Sequence, residues 1–327
     1  MNDDWKQFLA GQGAPFDGAR HVDETVLADV SHGGLIAVTG EDARAFLQGQ
    51  LSTDMDKLTP GSSQLSSWSN AKGRVVTMLR VLQRDGTIYL ALHQSLLASV
   101  LKRLSLYVLR TKAQLADASE SLARFGLAGP EATKLIQKIG LAVPVNVNDV
   151  TGHGGVQVLR LHGKTPRYAL LGPSDALSSL WKLSQAAGAR PVNEAQWSLL
   201  KILAGEPTVY PETSEHFVAQ MLGLDELGAI DFKKGCYIGQ EVIARSHYRG
   251  AVKRHLVHAE SAASAVLKPG MELQVAGQDM SVAEIVDAQR DDKGNWRMLL
   301  VIQDGHRDAA LVHKPSGAAI RVTSAAP

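Results

Sequence analysis

At 327 residues the chain is about twice as long as an ordinary domain, so two or three packed units are expected. Its 45% hydrophobic and 20% charged residues exclude wholesale disorder. Thirty-four Lys and Arg against thirty-three Asp and Glu leave a net charge of +1, which excludes a surface that grips polyanions everywhere and requires any such site to be local.

The first residues, Met1-Asn2-Asp3-Asp4-Trp5-Lys6, are acidic where an export signal carries basic residues, so none is expected. Residues 35–38 read as a strand, and the spacing of Ala, Phe and Leu predicts a helix over 41–51. Residues 75–82 and 87–92 read as the arms of a hairpin turning at Arg84-Asp85-Gly86, and 94–106 shows helical spacing of Leu and Val. The apolar stretch Ser95 to Leu109 is broken by Lys102 and Arg103, far short of the roughly 20 residues of a membrane span, so no membrane partner is expected.

The order of elements then repeats. Gly40 to Gln48 aligns with Gly129 to Gln137, Met78-Leu79-Arg80-Val81 with Val158-Leu159-Arg160-Leu161, and Tyr89-Leu90-Ala91-Leu92 with Tyr168-Ala169-Leu170-Leu171. This pattern predicts a duplicated strand-helix unit of ferredoxin-like type. After Arg249-Gly250 the texture changes to short β-like runs at 252–258, 272–275, 282–286, 297–302 and 319–322 between turn-rich segments, which predicts a small antiparallel barrel or sandwich. The expected class is α+β with three domains, at 1–120, 121–248 and 249–327.

Several fragments fail as motifs. Gly163-Lys164-Thr165 lacks the earlier glycine of a phosphate-binding loop, because Val158 stands there. Gly152-His153-Gly154-Gly155 and His32-Gly33-Gly34 have no Gly-x-Ser-x-Gly nucleophile to serve. The histidines form no ligand pair, so no metal site is expected. The tryptophans read as packing residues, with Trp68, ahead of a polar turn, an alternative candidate for lining a ring-binding pocket.

The informative segment is Phe232 to Arg245, which holds the one cysteine of the chain. A lone cysteine closes no intramolecular disulfide and supplies no four-thiolate cluster, and it points to a reducing compartment, the cytoplasm. Gly235 and Gly239 bracket a tight loop around Cys236, and a helix-like run begins at Gln240. Helix-end N–H groups with Lys233 and Lys234 alongside are the setting of a reactive thiolate, against the plainer reading of a small buried hydrophobe. Between 233 and 254, Lys233, Lys234, Arg245, Arg249, Lys253 and Arg254 face Glu241 alone, a local anion site.

Lys234-Gly235-Cys236-Tyr237-Ile238-Gly239-Gln240-Glu241 resembles, at every fixed position, the Lys-Gly-Cys-Tyr-x-Gly-Gln-Glu signature of the YgfZ family of folate-binding proteins. The likeness extends through Phe46 to Leu51, Asn70-Ala71-Lys72-Gly73-Arg74 and Tyr248-Arg249-Gly250, and so covers about residues 35 to 255. The resemblance implies the fold of the glycine-cleavage aminomethyltransferases, three domains in a ring around a central tetrahydrofolate channel. It also implies tetrahydrofolate or a derivative as ligand, a role in assembling or repairing iron–sulfur enzymes, and dependence on Cys236. On this reading Asn70, Lys72, Lys234, Tyr237, Gln240 and Glu241 shape the site and contact the cofactor, and Arg245 and Arg249 meet its anionic tail. Iron–sulfur client proteins are the expected partners, and RNA is an open alternative.

The chain departs from its transferase relatives where their aspartate pair follows the segment matching Asn70 to Gly73, since Thr77 and Met78 stand there. The acid that grips the pterin in those relatives falls near Leu203, with Glu206 the nearest substitute. Binding without the transferase reaction is therefore expected, and a folate-dependent one-carbon transferase or RNA-modification factor is the alternative.

Overall fold

The computed structural model describes residues 2–18, 23–250 and 252–326, the side chain of Arg249 excepted. In chain order its elements begin with α1 (Asp3–Gly11), β1 (Val26–Asp29), β2 (Gly34–Thr39), α2 (Ala43–Gln48), β3 (Ser63–Ser69), β4 (Val75–Arg84), β5 (Thr87–Leu92), α3 (Gln94–Ser105) and β6 (Gln114–Asp117). There follow β7 (Ala123–Ala128), α4 (Ala132–Lys138), β8 (Val150–His153), β9 (Val156–Leu161), β10 (Arg167–Gly172), α5 (Ser174–Ala186), β11 (Arg190–Val192) and α6 (Glu194–Leu203). The last are α7 (Gln240–Arg249), β12 (Arg254–Ser261), β13 (Glu272–Val275), β14 (Ser281–Arg290), β15 (Trp296–Gln303), β16 (Leu311–His313) and β17 (Ala318–Ala325).

The strand, helix, strands, helix order occurs twice. One sheet runs β3-β4-β5-β2-β6 and the other β8-β9-β10-β7-β1-β11, so the first four strands of each correspond. The second sheet then inserts β1, antiparallel to β7 and parallel to β11. The chain after Gly250 closes into a barrel, β12-β15-β14-β13-β16-β17, rather than a sandwich. Mixed sheets, helices and a closed barrel make this an α+β protein. Helix α2 is shorter than the expected 41–51, because Asp42 N–H donates to Lys112 O and Leu51 turns away to bridge Trp68.

The chain divides into two compact units, one of residues 1–46, 56–64 and 80–200, the other of 47–55, 65–79 and 201–327. In the first, α1 inserts Trp5 beside Phe125 and Trp181, with ring centroids at 6.3 and 5.8 Å, and the Trp5 indole N–H donates to Asp29 at 2.8 Å. Asn2 caps the helix by accepting the Trp5 backbone N–H. In the second, the barrel packs Met298, Leu300 and Ile302 of β15 inward, the alternation that the strand period demands, with Leu273, Val282 and Ile285 from β13 and β14, whose pairing is interrupted by bulges.

Candidate functional site

The site lies wholly within the second unit, and three segments meet there. The first, Leu47 to Met55, is tied down by hydroxyls. Ser52 Oγ donates to Ala229 O at 2.7 Å and accepts the Ser67 N–H at 2.8 Å, while Thr53 Oγ1 donates to Ser66 Oγ at 2.8 Å. All four hydroxyl residues are buried, so each needs these partners to offset its lost hydration.

The second segment is the turn joining β3 to β4. Asn70 Oδ1 accepts the N–H groups of Lys72 at 2.9 Å and Arg74 at 3.1 Å, which fixes the turn and leaves Lys72 exposed at its tip. Asn70 Nδ2 donates to Glu215 Oε2 at 2.5 Å, and Glu215 holds this position with φ at +65°, an uncommon conformation for a side-chain-bearing residue.

The third is the cysteine loop. Asp231 N–H donates to Ser52 O and Ile238 N–H to Gly49 O, so the loop is pinned at both ends to the first segment. Lys234 turns inward, and its ammonium donates to the carbonyls of Gln48 at 2.8 Å, Leu51 at 2.6 Å and Thr53 at 2.9 Å. It also lies 5.0 Å from the Tyr237 ring centroid, and burial, with Asp231 nearby, pushes the Tyr237 phenol up to about 12. Gly239 caps α7 at φ +82°, where a Cβ would stand 2.6 Å from Asn70 O; a Cβ on Gly73 would stand 2.8 Å from the Val242 Cβ. Two glycines therefore let the Asn70 turn and the cysteine loop touch backbone to backbone.

Cys236 is exposed and free, so the buried-hydrophobe reading fails. It lies three residues before the α7 cap, with Lys233 exposed nearby in the chain. Of the two lysines expected beside the thiol, Lys234 instead commits its ammonium to the three carbonyls, because a buried cation requires acceptors. Gln240 is half-buried at the helix start, and Glu241 pairs with Arg245 at 2.5 Å one turn on. The Arg249 side chain lies outside the described residues.

Trp68 is buried to 2% exposure with its indole N–H donating to Gln50, a packing residue and not a pocket wall. Thr77 is buried and donates to Met78 O, and Glu206 is buried after α6. Neither Glu215 nor the carbonyl cage is legible in the sequence, since a left-handed φ and a carbonyl direction leave no residue signature.

The description GCVT N-terminal domain fits residues 17–163. A protein of Colwellia psychrerythraea named tRNA-modifying protein YgfZ is 32% identical over 233 residues, 71% of this chain and 71% of its own length. The chain belongs to the YgfZ family. A Klebsiella pneumoniae member with the same name is 32% identical over 241 residues, 74% of this chain and 73% of its own. The glycine cleavage system aminomethyltransferase T of Bartonella henselae superposes with a TM-score of 0.75 over 98% of this chain and 88% of its own, at 16% identity, a likeness of fold. The YgfZ signature is thus the segment that the Lys234 cage and the Asn70 turn hold in place.

Proposed function

We propose that this YgfZ-family chain is a cytoplasmic tetrahydrofolate-binding accessory factor in the assembly or repair of iron–sulfur enzymes, acting through Cys236. The observation that carries the reading is an exposed thiol on a loop held by fixed neighbours: Lys234 buried in its carbonyl cage, Tyr237 buried beside it, and Gly239 against Asn70. A rigid loop presenting one soft nucleophile suits a group that must meet a partner protein without a fluctuating approach. No helix among the described residues is long and apolar enough to cross a membrane.

The residues present fit a folate. Lys72 and Lys233 are exposed and pair with no carboxylate among the described residues, and Arg245 is half-exposed, a donor set for an anionic glutamate tail. Gln240 offers an amide and Glu215, held in place by Asn70, a carboxylate, the groups that a pterin edge requires. When bound, the folate would supply one-carbon or redox chemistry; the chain's own part is to hold it and to orient Cys236.

Cys236→Ser is expected to fold and to retain folate binding but to lose support of iron–sulfur enzyme activity in a deletion strain. Full complementation by this variant would remove the thiol from the account. Reduced folate is expected to raise the melting temperature, by the equivalent of about 2.7 kcal/mol at a hundredfold excess over Kd. The polyglutamylated form should exceed the monoglutamate, by a margin that shrinks with salt. No shift with either form at saturation would exclude folate.

The second reading, one-carbon transfer or RNA modification, draws on the relatives' name, tRNA-modifying protein. Against transfer stands the burial of Thr77 and Met78, neither of which carries a carboxylate; a positioned acid–base group contributes roughly 10²–10⁴-fold to such steps. Labelled methylene-tetrahydrofolate incubated with glycine, ammonia, bulk tRNA and a lipoylated acceptor is expected to give no turnover. Turnover that persists in Cys236→Ser would favour the transferase.

A further inference from the structure

Beyond the cysteine loop, α7 carries an aromatic group that the folding of the helix does not explain. Phe232 stacks on His247 with centroids 3.8 Å apart and planes 17° from parallel. Tyr248 meets the two obliquely, at 5.1 Å from His247 and 6.4 Å from Phe232. His247 is exposed and Tyr248 is 71% exposed, so the rings are assembled but left uncovered.

The chain then leads directly to a cleft of about 440 Å³ lined by Lys253, Arg254, Asp304 and His306 among others. Asp304 already accepts hydrogen bonds from His255 and Arg307, each at 2.7 Å, so its charge is engaged. Lys253 and Arg254 pair with no carboxylate among the described residues. Tyr248 and Lys253 are five residues apart and hence at most about 18 Å apart, whatever path the chain takes.

We propose that this surface binds a single-stranded segment of nucleic acid, one base stacking on the His247 and Tyr248 rings and a backbone phosphate entering the Lys253–Arg254 cleft. Every base has a face that an exposed ring can cover, so such stacking needs no particular sequence, while a duplex hides those faces. An acidic peptide would use the two cations and leave the rings idle. The proposal goes beyond the role given to Cys236 and does not require it.

The test is fluorescence anisotropy on the full chain with labelled unstructured twelve-nucleotide RNA and DNA strands, whose relative affinities tell which sugar is preferred. A blunt RNA duplex and a polyglutamate peptide are the comparators. Single strands are expected to bind at least tenfold tighter than either comparator, and Tyr248→Ala to lose about 5- to 100-fold while Tyr248→Phe keeps the affinity. Lys253→Gln with Arg254→Gln should reduce the salt slope by about 0.7, for the one phosphate that is no longer neutralised. Melting curves establish that these surface variants fold, and Cys236→Ser is expected to bind the strands as wild type does, which separates this proposal from the thiol's role. Equal binding of the duplex or the peptide, an unchanged Tyr248→Ala affinity, or loss of the folate-induced melting shift in these variants would overturn it.

Discussion

Lys234→Met is expected to destabilise the protein by about 4 kcal/mol, because methionine fills the volume but leaves the Gln48, Leu51 and Thr53 carbonyls without the cation that gathers them. The loss should be seen as a fall in Tm of roughly 10 °C. Since the same three carbonyls hold the cysteine loop onto the 47–55 segment, complementation should fail although Cys236 is intact. Lys234→Arg is the informative companion, because a planar guanidinium keeps the charge but does not match three acceptors arranged around one nitrogen. Wild-type melting of Lys234→Met would show that the cage contributes nothing to stability.

The second large effect concerns Asp287, on β14 in the barrel. Burial pushes its carboxyl up to about 6, against the opposing pull of Lys201 and of hydrogen bonds from Tyr210, Thr208 and the Ala288 N–H. One oxygen accepts from the Tyr210 hydroxyl at 3.0 Å and from the Ala288 N–H at 2.9 Å. Below the unfolded value of 3.8 both states are protonated and the group costs nothing. As pH rises from there towards the folded value the native state retains a proton that the unfolded chain gives up, so stability falls, by about 3 kcal/mol once both are passed. Urea unfolding should therefore show wild type losing about 2 kcal/mol relative to Asp287→Asn between roughly pH 4.5 and pH 7.5. A stability difference between the two that does not change with pH would mean that Asp287 is ionised in the native state like any exposed carboxylate.

Much of this molecule is readable from its residues. The period-two runs after Gly250 place five of the six barrel strands within a few residues, since half-buried strands must alternate, whereas β16, three residues long, is too short to show the period. The doubled Gly40 and Gly129 segments anticipate α2 and α4, and the Arg84-Asp85-Gly86 turn falls where Asp85 and Gly86 take positive φ. The glycines on either side of Cys236 anticipate the loop that leads into α7. Composition and periodicity work here because they report local backbone preference and which face is buried.

Tertiary structure alone decided what surrounds the thiol. Lys234 reads in sequence as a surface cation beside Cys236, yet its four-carbon stem lets the ammonium reach inward to carbonyls some 180 residues earlier. Glu215, in a segment with no motif, becomes the partner of Asn70 only because the chain there takes a left-handed turn. Trp68 passes from possible pocket wall to core because both of its neighbours in sequence are buried with it. Each of these depends on where distant backbone atoms stand, and a residue string carries the donors and acceptors of such contacts but not their directions.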